Sequence, residues 1–133
     1  MDLSAINPAV LIASLMVAAV PILLAAIGEL VVEKAGVLNL GVEGLMIIGA
    51  VCGLAIAVEM ESPVMGFIAA AAGGAALSLI FAFLTQVMLA NQVATGLALT
   101  LFGLGLSSLI GQGYVGIKPP ATPRLDFGPL SDI

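Results

Sequence analysis

Hydrophobic residues fill four long windows of the chain, and only a few residues separate each window from the next. A helix that crosses the hydrocarbon core of a bilayer needs about 20 residues, and each window has room for one. Short connections favour antiparallel neighbours in a compact bundle. The pattern therefore predicts an all-α, polytopic membrane helix bundle with about four transmembrane helices, over residues 9–32, 36–58, 63–87 and 93–113.

The chain divides by composition into two parts. Residues 1–113 contain all four windows and form the expected transmembrane domain. Residues 114–133 are rich in proline and carry both remaining basic residues, so we expect an extended loop outside the hydrocarbon. The prolines of this loop are Pro119, Pro120, Pro123 and Pro129.

Small residues are concentrated in the second and third windows. Gly49, Gly53 and Ala57 recur at every fourth position, and residues 69–76 are all Ala or Gly, including Gly73 and Gly74. Lipid provides no hydrophobic drive between helices, so close backbone approach at small residues is what lets them associate. We expect these residues to pack helices together.

Composition strengthens the membrane interpretation. The chain is 62% hydrophobic and only 8% charged, whereas a soluble domain has about 25% charged residues. No Asp, Glu, Lys or Arg occurs between Ser62 and Ile117. The net charge of −5 and the absence of a basic patch argue against nucleic-acid binding.

The residues needed for common catalytic and metal sites are missing. Because there is no His and only one Cys, neither an imidazole base nor a zinc site of the usual nitrogen and sulfur type is available. No phosphate-binding P-loop motif occurs. We expect no enzyme active site, no metal and no cofactor in this chain.

Glu43 is the most unexpected side chain in the windows. In a straight helix from Ala35 it would lie about 12 Å from the helix start, where a carboxylate costs about 2.5–3.5 kcal/mol unless it is paired, protonated or hydrated. It could face a hydrated pathway, pair with another helix, or lie near the interface because the helix starts later. Gly36, Gly41 and Gly44 weaken a continuous helix, so a break near Gly36–Gly44 is one alternative.

Four other polar residues have two interpretations each. Asn39 lies four positions before Glu43, so it shares a helix face with Glu43 or caps a helix that starts near Leu40. Glu29 lies near the membrane interface or in a functional cavity. Asn91 and Thr95, which enter the fourth window together with Gln92, belong to a pathway or to a loop followed by a capped helix.

Two runs of the sequence resemble a known family. GELVVEKAGVLNLGVEGLMIIGAVCGLAIA (Gly28–Ala57) and NQVATGLALTLFGLGLSSLIG (Asn91–Gly111) are similar to permease subunits of bacterial ABC importers for nucleosides and simple sugars. These permeases belong to the superfamily of branched-chain amino-acid and ribose permeases. The most specific part is Glu33–Gly44, and the resemblance covers nearly the whole chain.

The resemblance implies a multi-pass protein of the bacterial cytoplasmic (inner or plasma) membrane that works with other subunits. These are an ABC ATPase subunit that binds ATP, a second permease subunit and a solute-binding receptor. It implies that Asn39, Glu43, Asn91 and Thr95 lie near the translocation pathway, and the depth of Glu29 adds it as a candidate. Such permeases are longer, so we expect this chain to be an amino-terminal portion, truncated within a loop.

Two rival functions are compatible with the sequence. A permease of the same fold could carry branched-chain amino acids, with Glu43 or Glu29 meeting the ammonium group. A non-transporting helical assembly module in the membrane would need neither a solute nor an ATPase.

Overall fold

The computed structural model describes residues 7–122 of the protein, and every regular element within them is helical. Four of these helices are long and apolar enough to cross a membrane, which confirms the predicted all-α membrane bundle. Pro123 and Pro129 of the predicted loop lie outside the described residues. The elements are α1 (Pro8–Lys34), α2 (Val42–Glu59), α3 (Pro63–Ala82) with a π-helical turn at Phe83–Val87, and α4 (Gln92–Gly111) with a 3-10 turn at Gln112–Tyr114.

Three of the four helices begin with a side-chain cap. Asn7, Ser62 and Asn91 accept hydrogen bonds from the backbone N–H groups of Ala9, Met65 and Ala94 at the starts of α1, α3 and α4. Such a cap satisfies one of the backbone donors that a first helical turn leaves without an intrahelical partner. Local sequence therefore sets these starts.

Helix α1 ends at a glycine in the left-handed region. Gly36 has φ +82°, its N–H donates to the Glu33 carbonyl at 2.9 Å, and the Val37 N–H donates to the Val32 carbonyl at 3.2 Å. This pattern terminates helices, because glycine adopts positive φ without a steric penalty.

Residues 36–41, called the connector below, are not helical. Helix α2 begins at Val42, with Gly41 at its N-cap and no side-chain cap. The expectation that the second helix starts at Gly36 was therefore wrong. The alternative of an interruption near Gly36–Gly44 agrees with the structure, because residues 36–41 are not helical and α2 is continuous only from Val42 to Glu59.

Helix α2 packs against α3 through small residues. A Cβ on Gly53 would lie 3.1 Å from the Gly66 carbonyl oxygen, and a Cβ on Gly49 would lie 3.2 Å from the Ala70 carbonyl oxygen. A Cβ on Gly66 would lie 2.7 Å from the Ala57 Cβ. The backbones of α2 and α3 thus approach closely along the predicted row Gly49, Gly53 and Ala57.

The two other glycines predicted to pack helices lie on α3 and differ in their surroundings. A Cβ on Gly73 would lie 2.9 Å from the Cys52 Sγ, so this position is tightly packed. For Gly74 the nearest atom would be the Leu45 carbonyl oxygen at 3.8 Å, an ordinary contact. Of these two glycines, only Gly73 has a neighbour that would have to shift to make room for a Cβ.

Helix α2 packs on its other side against α4. A Cβ on Gly44 would lie 2.7 Å from the Leu99 carbonyl oxygen and 2.8 Å from the Thr100 Cα. A Cβ on Gly103 would lie 2.9 Å from the Gly44 Cα. Glycine on both helices lets α2 sit at the centre of the bundle, between α3 and α4.

The buried apolar core lies among α2, α3 and α4. Helix α1 contributes no buried residue, and it meets the rest of the bundle mainly near its C-terminal end. Polar residues, namely Glu29, Asn39 and Ser78, line the space between α1 and the other helices. The core consists of Ile48, Val51, Leu77, Phe81 and Leu99.

Candidate functional site

Side chains from α1 and α4 hold the backbone of the connector. The Leu38 N–H donates to Gln92 Oε1 at 2.8 Å, and the Asn39 N–H donates to Glu29 Oε1 at 3.0 Å. The Thr100 hydroxyl donates to the Leu40 carbonyl at 3.3 Å. Each of these three consecutive connector residues therefore has one backbone group hydrogen-bonded to a side chain, and such bonds are what irregular backbone in a membrane protein requires.

Asn39 is 5% exposed and makes a turn rather than a helix cap. Its Oδ1 accepts the Gly41 N–H at 2.9 Å, two residues ahead, which is the hydrogen bond of an Asx turn. The expected cap for a helix starting near Leu40 was therefore wrong. Asn39 and Glu43 also do not share a helix face, because Asn39 precedes the helix.

Glu43 lies in the first turn of α2 and is exposed. The alternative that the helix starts later is confirmed, because α2 begins at Val42. The depth of about 12 Å, which holds for a straight helix from Ala35, therefore does not apply. A carboxylate at a helix N-terminus interacts favourably with the helix dipole. Glu43 makes no hydrogen bond through its side chain within residues 7–122, and its role in a pathway stays a prediction.

Asn91 and Thr95 lie together on the α3–α4 side of the bundle. Asn91 is exposed, and its Oδ1 accepts the Ala94 N–H at 3.0 Å, so it caps α4. Thr95 is half-buried one turn further along. Both line a cavity of about 510 Å³ whose other walls include Ile80, Leu84 and Phe102. Their place in a solute pathway stays a prediction.

A second cavity, of about 570 Å³, lies between α1 and the pair α2 and α3. We call it the α1 cavity. Its polar lining residues are Glu29, Asn39 and Ser78, and its apolar walls include Pro21 and Leu24. Its volume lies within the range of about 300–1,000 Å³ that is usual for small-molecule sites. The structure thus brings together Glu29 and Asn39, and places Asn91 and Thr95 in a different cavity.

Sequence reasoning did not single out Ser78, Gln92 or Thr100 as site residues. Ser78 is the one polar side chain of α3, residues 63–82. A single polar residue in an apolar helix could have identified it as a candidate site residue. Gln92 and Thr100 act on the connector from 54 and 60 residues away. No local pattern reports a contact over that separation.

Metal binding by acidic and sulfur ligands has no support in the described part of the chain. No group of three or more His, Cys, Asp or Glu side chains lies together among the described residues. The polar groups of the α1 cavity are a carboxyl, a carboxamide and a hydroxyl. This set is suited to hydrogen bonding of a neutral polar solute.

Comparison with known proteins identifies relatives of this chain. Residues 11–126 match the model of a family described as "Branched-chain amino acid transport system / permease component". The chain is 43% identical over 110 residues to a Haloferax volcanii protein provisionally named a glucose ABC transporter permease protein, covering 83% of this chain and 33% of the relative. No solved structure matches the chain.

Two further relatives carry related names. A Bacillus subtilis protein named guanosine ABC transporter permease protein is 36% identical over 107 residues, covering 76% of this chain and 34% of the relative. A second Haloferax volcanii protein, named glucose ABC transporter permease protein, is 34% identical over 103 residues, covering 74% of this chain and 27% of the relative. The chain spans about a third of the length of the relatives it matches.

These matches confirm the family resemblance predicted from Glu33–Gly44 and its surroundings. Together with the four apolar helices, they establish a multi-pass protein of the cytoplasmic membrane. Because the family match spans most of the chain and agrees with its helical architecture, the chain belongs to the family of branched-chain amino acid transport system permease components.

Proposed function

We propose that the chain is part of the membrane-spanning permease of an ATP-driven ABC importer for nucleosides or simple sugars. The observation that carries this proposal is that the relatives are named as permeases for guanosine and glucose. The α1 cavity supports it, because a carboxyl, a carboxamide and a hydroxyl are the groups that hydrogen-bond solute hydroxyls.

The proposed importer needs further subunits. An ABC ATPase subunit binds and hydrolyses ATP, a second permease subunit completes the membrane unit, and a receptor delivers the solute. On this proposal the chain binds no cofactor and catalyses no reaction itself. Within the bilayer, the exposed apolar surface of α1 faces lipid or other helices of the assembled permease.

Uptake measurements test this function. The permease is expressed with its ATPase and receptor in a host that lacks nucleoside and sugar uptake, and entry of a labelled purine nucleoside, hexose and branched-chain amino acid is measured. We expect ATP-dependent uptake of the nucleoside or the hexose. A variant of the ATPase that cannot hydrolyse ATP is the control, and uptake that persists with it contradicts the proposal.

Branched-chain amino acids are the second candidate cargo, because the family description names them. A zwitterionic amino acid needs a counter-charge for its ammonium group, and Glu29 in the α1 cavity is a carboxyl that could meet it. Uptake of leucine in preference to both the nucleoside and the hexose would favour this candidate.

The pathway role of the polar residues has its own test. We expect Glu43→Gln and Asn39→Ala each to lower uptake by the full permease, if both residues border the route of the solute. Glu33→Gln changes a neighbouring exposed carboxyl in the same way and is the control. Unchanged uptake in both variants would refute the assignment.

A further inference from the structure

The amide nitrogen of Asn39 is a hydrogen-bond donor that the protein leaves free. Asn39 is 95% buried, since its exposed fraction is 5%, and its Oδ1 is used by the Gly41 N–H. Its Nδ2 makes no hydrogen bond within residues 7–122. Among those residues, however, every fully buried side-chain nitrogen or oxygen has a hydrogen-bond partner. The Nδ2 is therefore not fully buried, and Asn39 is one of the residues that line the α1 cavity.

Glu29 places an acceptor beside this donor. One oxygen of its carboxyl accepts the Asn39 backbone N–H at 3.0 Å, which keeps the group next to Asn39. The other oxygen receives no hydrogen bond from the described residues, and Glu29 lines the same cavity. A free donor and a free acceptor thus belong to two residues that are hydrogen-bonded to each other and that line one largely apolar cavity.

This pair has a definite chemical complement. A hydroxyl group both donates and accepts hydrogen bonds, so of two hydroxyls on neighbouring carbons, one can donate to the carboxyl while the other accepts from the amide. The apolar walls, which include Pro21, Leu24 and Met46, suit the flat face of a base or the C–H face of a sugar ring. Leaving such groups unpaired inside an apolar cavity is unfavourable, so they discriminate in favour of a ligand that satisfies both.

We propose that the α1 cavity is a solute-binding site in which Glu29 and Asn39 recognise a vicinal diol. The proposal rests on the proposed function and deepens it, because the diol is the chemistry that ribonucleosides and simple sugars share. The donor is the Asn39 Nδ2 and the acceptor is the second oxygen of Glu29. Ser78, on the α3 wall, is a further hydroxyl within the same cavity.

Two substitutions remove the recognition groups and keep the connector intact. Glu29→Gln keeps a carbonyl oxygen for the Asn39 N–H but replaces the free acceptor with a donor. Asn39→Asp keeps an oxygen for the Gly41 N–H but replaces the free donor with an acceptor. Glu33→Gln, four residues from Glu29 on the exposed part of α1, makes the same chemical change outside the cavity.

The measurement is the ratio of uptake between a solute with the diol and its deoxy analogue, in the permease assembled with its ATPase and receptor. One pair is a purine ribonucleoside with its 2′-deoxy form, which has no vicinal diol. The other is a methyl hexoside with its 3-deoxy form, which keeps no two hydroxyls on neighbouring carbons. Whichever pair is transported identifies the source of the diol. Dividing each variant's ratio by that of the unsubstituted permease removes the preference of the receptor.

We expect Glu29→Gln and Asn39→Asp to lower this ratio about tenfold, as the loss of a good polar contact implies. Glu33→Gln should leave it unchanged. If the unsubstituted permease transports these solutes and both cavity variants keep its ratio, the diol site is overturned while the proposed function stands. If the unsubstituted permease transports neither kind of solute, both proposals fail together.

Filling the cavity gives a second test. Ala25 lines the cavity, whereas its neighbour Ala26 is exposed outside it. We expect Ala25→Trp to abolish uptake of the diol solute, and Ala26→Trp to preserve it with the same amount of permease in the membrane. Equal uptake by the two variants would show that the solute does not occupy this cavity.

Discussion

The Glu29 carboxyl accepts the backbone N–H of Asn39 at 3.0 Å, and so joins the last turns of α1 to the connector that precedes α2. Helix α1 buries none of its own residues against the bundle. This hydrogen bond is therefore a principal polar link between α1 and the packed helices. It also orients Asn39, whose side chain is nearly fully buried.

Glu29→Leu is expected to destabilise the permease. Leucine suits apolar surroundings, but it leaves the partly buried Asn39 N–H without an acceptor. The loss lowers the free energy of unfolding by about 1–3 kcal/mol. Glu29→Gln retains an acceptor oxygen and should unfold close to the unsubstituted protein. Thermal unfolding in detergent measures both. Equal stability of the Leu and Gln variants would show that the hydrogen bond contributes nothing measurable.

Gly44→Ala is expected to separate α2 from α4. The added Cβ would lie 2.7 Å from the Leu99 carbonyl oxygen and 2.8 Å from the Thr100 Cα, and backbone atoms cannot move aside as a flexible side chain can. Overpacking of this kind costs about 1–3 kcal/mol. Gly105→Ala on α4, where nothing lies within 4 Å of the added Cβ, is the matched control. The comparison is again of unfolding temperatures in detergent, and an equal effect of both changes would contradict the close approach.

Gln92→Leu is expected to have a smaller effect than Glu29→Leu. Gln92 accepts the Leu38 N–H at 2.8 Å, but Leu38 is 40% exposed, so water can replace the lost acceptor when the side chain is changed. We expect a loss of about 0.5–1.5 kcal/mol, the usual net contribution of such a bond. Hydrogen exchange of the Leu38 amide should speed up in this variant. A loss larger than that of Glu29→Leu would reverse the proposed order.

Asn91→Ala is expected to weaken the start of α4. The change removes the acceptor for the Ala94 N–H, and loss of an N-cap of this type costs about 0.5–2 kcal/mol. Asn91→Ser supplies another capping oxygen and should restore most of the loss. Unfolding of the purified permease compares the three proteins, and failure of serine to restore stability would mean that Asn91 acts through something other than the cap.

Local features of the sequence were enough to predict the four helices and, to within one residue, where α1, α3 and α4 start. Each apolar window is long enough to span a bilayer, where only a helix or a closed barrel can satisfy every backbone group internally. Asn7, Ser62 and Asn91 mark three helix starts through hydrogen bonds to residues two or three positions ahead. Since both partners lie within one turn, no tertiary contact is needed to set these boundaries.

Glu43 shows where local reasoning stopped. The apolar pattern continues through residues 36–41, so a helix that starts early and carries Glu43 deep into the membrane stayed open beside a helix that starts later. The left-handed Gly36 and the Asn39 turn end that continuity. An irregular segment that packs against other helices can be as hydrophobic as a helix. The hydrophobic pattern along the chain therefore could not distinguish the two.

The sequence by itself determined a membrane bundle of four helices, the family, and the set of polar residues that had to be explained. Only the tertiary structure decided which of them meet: Glu29 with Asn39 in one cavity, and Asn91 with Thr95 in another. It also decided that Gln92, 54 residues away, holds the backbone of Leu38. The physical reason is that a helix start depends on neighbours along the chain, whereas a hydrogen bond between helices depends on how closely glycine allows those helices to approach.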